Sequence, residues 1–214
     1  MTETVAQVKL ATMAAMQEEH NLQVHPEWRS QNYPFYRAAW VECAEMLDHF
    51  GWKWWKKQQP DLDQVKLELV DIWHFGLSEL MTRADAAIDP RVADVLGASV
   101  ADSTSDGEAF RLAIEALAQD SIATQSFSVT HFRAAMETLP MSYDELFELY
   151  VGKNMLNRFR QAHGYKTGEY RKTWAGREDN DHLIELIAAL NCAPEAVPAA
   201  LYTALEQRYA ETAS

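Results

Sequence analysis

Apolar residues recur along this chain at helical spacing, and the strict alternation that marks half-buried strands is nearly absent. Residues 3–19 set Val5, Val8, Met13 and Met16 among polar neighbours, the pattern of an amphipathic helix. His25-Pro26 and the Asn32-Tyr33-Pro34 turn interrupt it. A second helix is then predicted from Phe35 to Phe50, opened after a proline and closed at Gly51. Asp61 suits the N-cap of a third helix reaching Met81. Val65, Leu67, Leu69, Val70, Ile72, Trp73 and Phe75 make that helix apolar nearly all round, which predicts a central position. Residues 84–107 turn small and polar, with Ser103, Ser105, Asp106 and Gly107 suggesting a surface excursion. Further helices are predicted over 107–119, 127–138, 142–163, 180–190 and 194–211, with Ser142 and Glu145 in capping-box register. No repeat or low-complexity tract intervenes. The pattern is all-α: a single-domain helical bundle over 1–214 built on a central antiparallel helix pair, with a helical subregion around 85–140 as its candidate mobile part.

Composition narrows the class. A chain of 214 residues buries about 70% of its unfolded surface and needs no covalent staples. Disorder is excluded by an apolar content of 48% that includes seven Trp. Thirty-two acidic against nineteen basic residues leave a net charge of −13, which argues against binding nucleic acid or anionic membrane through bulk electrostatics. Cys43 and Cys192 are the only cysteines and form no CxxC, so neither a disulfide framework nor a thiolate zinc site is indicated. There is no leader-like segment at the start and no apolar run near the roughly 20 residues of a spanning helix. A soluble protein of the reducing cytoplasm is expected.

The acidic residues are not evenly spread. Glu42 and Glu45 lie three apart on the second predicted helix, and Glu68 and Asp71 three apart on the third. Residues at i and i+3 share a helix face, and the short segment from Gly51 to Asp61 folds the two helices back on each other, so the pairs can converge. Buried like charges need a cation or raise each other's pKa. All-oxygen ligation favours a hard divalent ion, Mg²⁺ before Ca²⁺ or Mn²⁺. Taken singly, such pairs are ordinary solvated decoration; here both are flanked by heavy apolar residues, Trp40, Val41 and Met46 on one helix and Leu67 to Trp73 on the other. A di-iron bundle is the rival, but it requires two Glu-x-x-His pairs, whereas this chain offers Asp71-x-x-His74 once. His74 is read as a core or supporting residue.

From Val151 to Arg177 the balance reverses, with seven bases against Glu169 alone. Lys153, Asn157 and Arg160 form one helix stripe, followed by a loop with Tyr165, Lys166, Tyr170 and Lys172. Cations so placed, set against a metal-binding carboxylate cluster, could clamp a polyphosphate from two sides. No P-loop or dinucleotide fingerprint occurs. The block Trp52-Lys53-Trp54-Trp55-Lys56-Lys57 at the bend between the acidic helices is open to core, dimer-surface or base-stacking roles.

Glu42-Cys43-Ala44-Glu45, Gly51-Trp52-Lys53-Trp54-Trp55-Lys56, Glu68 to Phe75, Lys153 to Arg160, Gly164 to Tyr170 and Trp174 to Asn180 carry a resemblance. With these motifs the chain resembles the dimeric all-α dUTP diphosphatases, relatives of the helical NTP pyrophosphatases that include MazG-like enzymes and dCTP pyrophosphatases, from Met16 to about Asn180. The ExxE and ExxD pairs belong to the whole superfamily; the Lys153 to Arg160 motif favours the dUTPase branch. The resemblance implies hydrolysis of dUTP, and commonly dUDP, to dUMP by a homodimer using two or more Mg²⁺ ions, with Mn²⁺ as a substitute and attack at the α-phosphate. It implies that Glu42, Glu45, Glu68 and Asp71 hold the ions and that Glu45, as the catalytic residue, orients the attacking water. Lys153, Arg160, Tyr165 and Lys172 are the implied phosphate contacts, and Gln17, Asn21 and Asn157 lie near the nucleotide. A packed aromatic such as Phe75 or a Trp, beside the base, could exclude the thymine methyl. His20 stands where the family usually has Leu. A pyrophosphatase of different base preference, such as dCTP, and a non-catalytic helical nucleotide-binding protein are the competing readings.

Overall fold

The computed structural model describes residues 3–83, 88–98, 107–139, 141–192 and 196–212. The polypeptide divides into two compact units, Met1–Phe147 and Glu148–Ser214, described here in turn.

In the first unit α1 (Val5–Val24) begins at a complete capping box, Thr4 accepting from the Gln7 amide while the Gln7 side chain accepts from the Thr4 amide. It runs five residues beyond the predicted end, because nothing before Pro26 forbids helical backbone. A 3-10 turn, Trp28–Gln31, buries Trp28 and leads into α2 (Phe35–Phe50). Gly51 ends α2 at φ 92°, a conformation only glycine adopts without strain, and its amide bonds the Leu47 carbonyl at 2.9 Å. The following loop is tied by Gln58 Oε1, which accepts from the Trp52 and Lys53 amides at 3.1 and 2.7 Å. Asp61 then donates its amide to the His49 carbonyl at 3.0 Å and caps α3 (Leu62–Arg83) by accepting from the Gln64 amide at 3.2 Å. The end of α2 therefore meets the start of α3, and the pair is antiparallel as predicted.

α3 is the centre of this unit. Val65, Leu67, Leu69, Val70, Ile72, Trp73 and Leu77 are fully buried. Burying such side chains contributes roughly 1.5–3 kcal/mol each. Trp73 stacks on Phe132 at 5.4 Å and donates its indole N–H toward Met13 Sδ at 3.3 Å. A short helix, α4 (Arg91–Leu96), occupies part of the predicted surface excursion; Ser103, Ser105 and Asp106 lie outside the described residues, as does part of the proposed 85–140 subregion. α5 (Gly107–Thr124) packs on α2 and α6 (Val129–Thr138), and α7 (Tyr143–Ala162) starts at Ser142, whose hydroxyl accepts from the Glu145 amide at 3.1 Å.

The division between units falls within α7. The second unit adds an antiparallel hairpin, β1 (Thr173–Trp174) with β2 (Arg177–Glu178), then α8 (Asp179–Ala189) and α9 (Val197–Glu211). The hairpin was not predicted. Its two turn residues, Ala175 and Gly176, both take positive φ, 48° and 80°, and alanine is a weak signal for such a turn. Phe159, Tyr170, Trp174 and Tyr209 form the aromatic centre of this unit, with the Tyr170 and Tyr209 rings stacked at 5.6 Å. Among the described residues these are the only strands, and the chain is all-α otherwise.

Candidate active site

α2 and α3 bring Glu42, Glu68 and Asp71 together: one carboxylate oxygen from each lies within 4.8 Å of the others. Glu68 is buried, while Glu42 and Asp71 are half-buried. Burial first, and then the charges of Asp71, Glu68 and Glu45, push the Glu42 carboxyl up to about 9. Three carboxylates so disposed match the donor set of a hard divalent cation, which would remove the repulsion that raises Glu42. Glu45 is not part of this trio. It sits one turn further along α2 and is exposed, near enough for its charge to act on Glu42.

His49 completes the acidic face of α2, and sequence reasoning missed it. Its Nε2 lies 3.7 Å from Glu68 Oε1. The signal was present, since Glu42, Glu45 and His49 fall at i, i+3 and i+7 on one helix stripe. Cys43, between the two glutamates, faces the core, where burial and the neighbouring Glu42 push its thiol up to about 12, so it is inert.

The proposed base-binding amides lie in a buried polar chain between α1 and α3. Gln17 Nε2 donates to Asn21 Oδ1 at 3.0 Å, and Asn21 Nδ2 donates to Ser78 Oγ at 3.0 Å. Ser78 Oγ donates in turn to the His74 carbonyl at 2.9 Å. His74 Nδ1 pairs with Gln17 Oε1 at 2.7 Å, so His74 is a buried supporting residue. Phe75, half-buried, follows Asp71 by one turn on the metal-facing side of α3.

None of Trp52, Trp54 and Trp55 is core. They are 45%, 90% and 57% exposed and meet edge to face. Trp52 and Trp54, with Phe50, Lys53, Lys56 and Arg111, line a cavity of about 640 Å³ at the end of α2.

In the second unit Arg160 makes a two-pronged pair with Asp179, Nε and Nη2 each at 2.8 Å from a carboxylate oxygen. It also donates to Asn157 Oδ1 at 3.2 Å, and Tyr170 adds its hydroxyl to Asp179 at 2.8 Å. Lys153 is buried and donates to Asn180 Oδ1 at 3.0 Å. Tyr165 and Lys172 are exposed or half-exposed, Lys172 lying 3.3 Å from Glu178.

Among the described residues no helix is long and apolar enough to cross a membrane. A search of curated proteins finds no match. The family model described as dUTPase matches residues 9–165, which takes in the acidic pairs of α2 and α3, the Gln17 and Asn21 amides and the cationic stripe of α7. These enzymes act on a small nucleotide and generally use Mg²⁺. On this match over most of its length, the chain belongs to the dUTPase family and is a dUTP diphosphatase.

Proposed function

We propose that this protein hydrolyses dUTP, and also dUDP, to dUMP in a Mg²⁺-dependent reaction that releases pyrophosphate or phosphate. The convergence of Glu42, Glu68 and Asp71 carries this reading. These residues and Glu45 would hold two or more Mg²⁺ ions, with Mn²⁺ as a substitute, which would supply a lowered water pKa and positive charge for the phosphoryl oxygens. Glu45, exposed beside the trio, is proposed to aim the attacking water at the α-phosphorus and to take up its proton. A new P–O bond forms there as the bond from the α-phosphorus to the bridging oxygen breaks, the electron pair leaving with pyrophosphate, or with phosphate from dUDP. Lys153, Arg160, Tyr165 and Lys172 are proposed to contact the phosphates. Gln17, Asn21, Phe75 and Asn157 are proposed to hold the nucleotide, since amides offer uracil both a donor and an acceptor. The enzyme is proposed to act as a cytoplasmic homodimer with no nucleic-acid or membrane partner.

Incubation of the purified protein with each dNTP and Mg²⁺, with an EDTA control, tests this directly. dUTP is converted to dUMP and the conversion stops with EDTA. Equal turnover of dCTP would move the assignment to a pyrophosphatase of another base preference, and binding without turnover would make it a non-catalytic nucleotide-binding protein.

A further inference from the structure

We propose that Ser78 is a positioning residue for base choice: its hydroxyl fixes which way the Gln17 and Asn21 amides point, and so holds the site to uracil against cytosine. The specificity half of this inference rests on the reading above that these two amides meet the base. The direction follows from one group that cannot turn over. The carbonyl of His74 is part of the α3 backbone and can only accept. Ser78 Oγ stands 2.9 Å from it, so the single hydroxyl proton of Ser78 is committed there. Asn21 lies 3.0 Å from the same Oγ and must donate to it, through Nδ2. That turns Asn21 Oδ1 toward Gln17, which meets it with Nε2 at 3.0 Å. Gln17 Oε1 is then the atom that faces His74 Nδ1 at 2.7 Å, and Nδ1 must carry a proton. The four contacts share one sense, running from His74 Nδ1 through both amides and Ser78 back to the His74 carbonyl.

The opposite sense is open to every member except Ser78. Each amide can turn over with little change of shape, and an imidazole can carry its proton on Nε2 instead. Reversal would swing the Ser78 proton to Asn21 and leave Oγ 2.9 Å from the His74 carbonyl with no hydrogen between them. All four residues are buried, Ser78 to 1% exposure, so bulk water does not offset that loss.

Base choice depends on this sense. Uracil presents an acceptor at O4 beside a donor at N3, whereas cytosine presents a donor at N4 beside an acceptor at N3. An amide that complements one base complements the other once it is turned over. The two bases differ by an amino group in place of an oxo group, so pocket shape separates them poorly, and fixed polar groups are what reject the mismatch. The chain being a dUTP diphosphatase, the fixed sense is the one that suits uracil.

Long-range ¹H–¹⁵N correlation spectra of the full-length protein, with histidine ¹⁵N-labelled and the His74 ring assigned through its backbone, read the sense directly. Wild type is expected to carry a proton on His74 Nδ1, and an Nδ1 without one would overturn the proposal. Ser78→Ala removes the anchor. Its ratio of kcat/KM for dUTP over dCTP should fall by about tenfold or more, with KM for dUTP rising by a larger factor than kcat falls. Ser78→Thr keeps a hydroxyl for the same carbonyl and should restore most of the ratio. A merely structural role would lower both substrates alike, so an unchanged ratio in folded Ser78→Ala would also overturn the proposal. The isotope measurement needs no variant and decides the sense even if Ser78→Ala fails to fold. Wild type that turned over no dUTP would sink the proposed function, and the specificity claim with it, even with the His74 proton on Nδ1.

Discussion

Glu42 is held in a position its charge opposes, and that makes the site testable by pH. Its carboxyl is raised from an ordinary 4.5 to about 9, by burial first and by Asp71, Glu68 and Glu45 after it. The folded, metal-free protein therefore holds a proton at Glu42 that the unfolded chain has released between those values. The contribution of Glu42 to the stability of the metal-free protein is fullest below about 4.5 and falls as pH rises toward about 9. Thermal unfolding of EDTA-treated protein across this range should show a falling midpoint, with Mg²⁺ restoring more at the alkaline end. A midpoint that rises with pH in EDTA would contradict the Glu42 environment. Glu45 invites a sharper substitution. Glu45→Gln keeps the side chain's size and removes its charge, so turnover should drop about 10²-fold or more. Being exposed, the residue should leave unfolding free energy within about 0.5 kcal/mol of wild type. Full activity in a steady-state assay would remove Glu45 from the mechanism.

At the scale of elements, the carboxylate geometry depends on how tightly α3 is seated. Gly76 lies against Phe127, and a Cβ there would come within 2.6 Å of the ring. Phe127 is itself packed between Trp73 and Phe132 and has little room to retreat. Gly76→Ala gains about 1 kcal/mol of helix propensity but overpacks this cluster at a cost of about 1–3 kcal/mol. Net destabilisation of up to about 2 kcal/mol in urea unfolding is expected, and a stabilised variant would mean that the ring can move aside. The connection between α2 and α3 acts on the same geometry. Gly51 accepts two hydrogen bonds from Arg111 on α5, Nε at 3.0 Å and Nη2 at 2.7 Å, so the bend that aims the acidic faces at each other is anchored to a third helix.

Across the whole molecule, each of the two compact units has its own means of cohesion. The first relies on α3 and its aromatic neighbours. The second contains a nearly buried ion pair, Arg160 with Asp179, the acid being wholly inaccessible and also bonded to Tyr170. Asp179→Ala would strand the guanidinium, and the loss is expected to be about 3–5 kcal/mol by denaturant unfolding. A loss under about 1 kcal/mol would show that water reaches Arg160. This pair also alters what the basic segment means. Seven of the nineteen bases lie between residues 151 and 177, yet Lys153 and Arg160 are engaged with Asn180 and Asp179 within their own unit. Charge counting along the chain could not reveal that, because Asp179 and Asn180 stand outside the run and meet it only through the fold.

Local pattern was enough for the all-α class, the bounds of α2, the N-cap of α3 and the placing of Glu42 with Glu45, and of Glu68 with Asp71, on shared helix faces. These follow from backbone propensity, capping chemistry and the period of the helix, which neighbouring residues determine among themselves. Tertiary structure decided the rest. It drew Glu42, Glu68 and Asp71 into one cluster and left Glu45 at its margin, brought His49 to Glu68, and turned the tryptophan block outward. It also chained Gln17 and Asn21 to Ser78 and His74. Helical periodicity says which side chains share a face; how far each extends, and what it meets across a gap of a few ångströms, depends on the packing of helices distant in sequence.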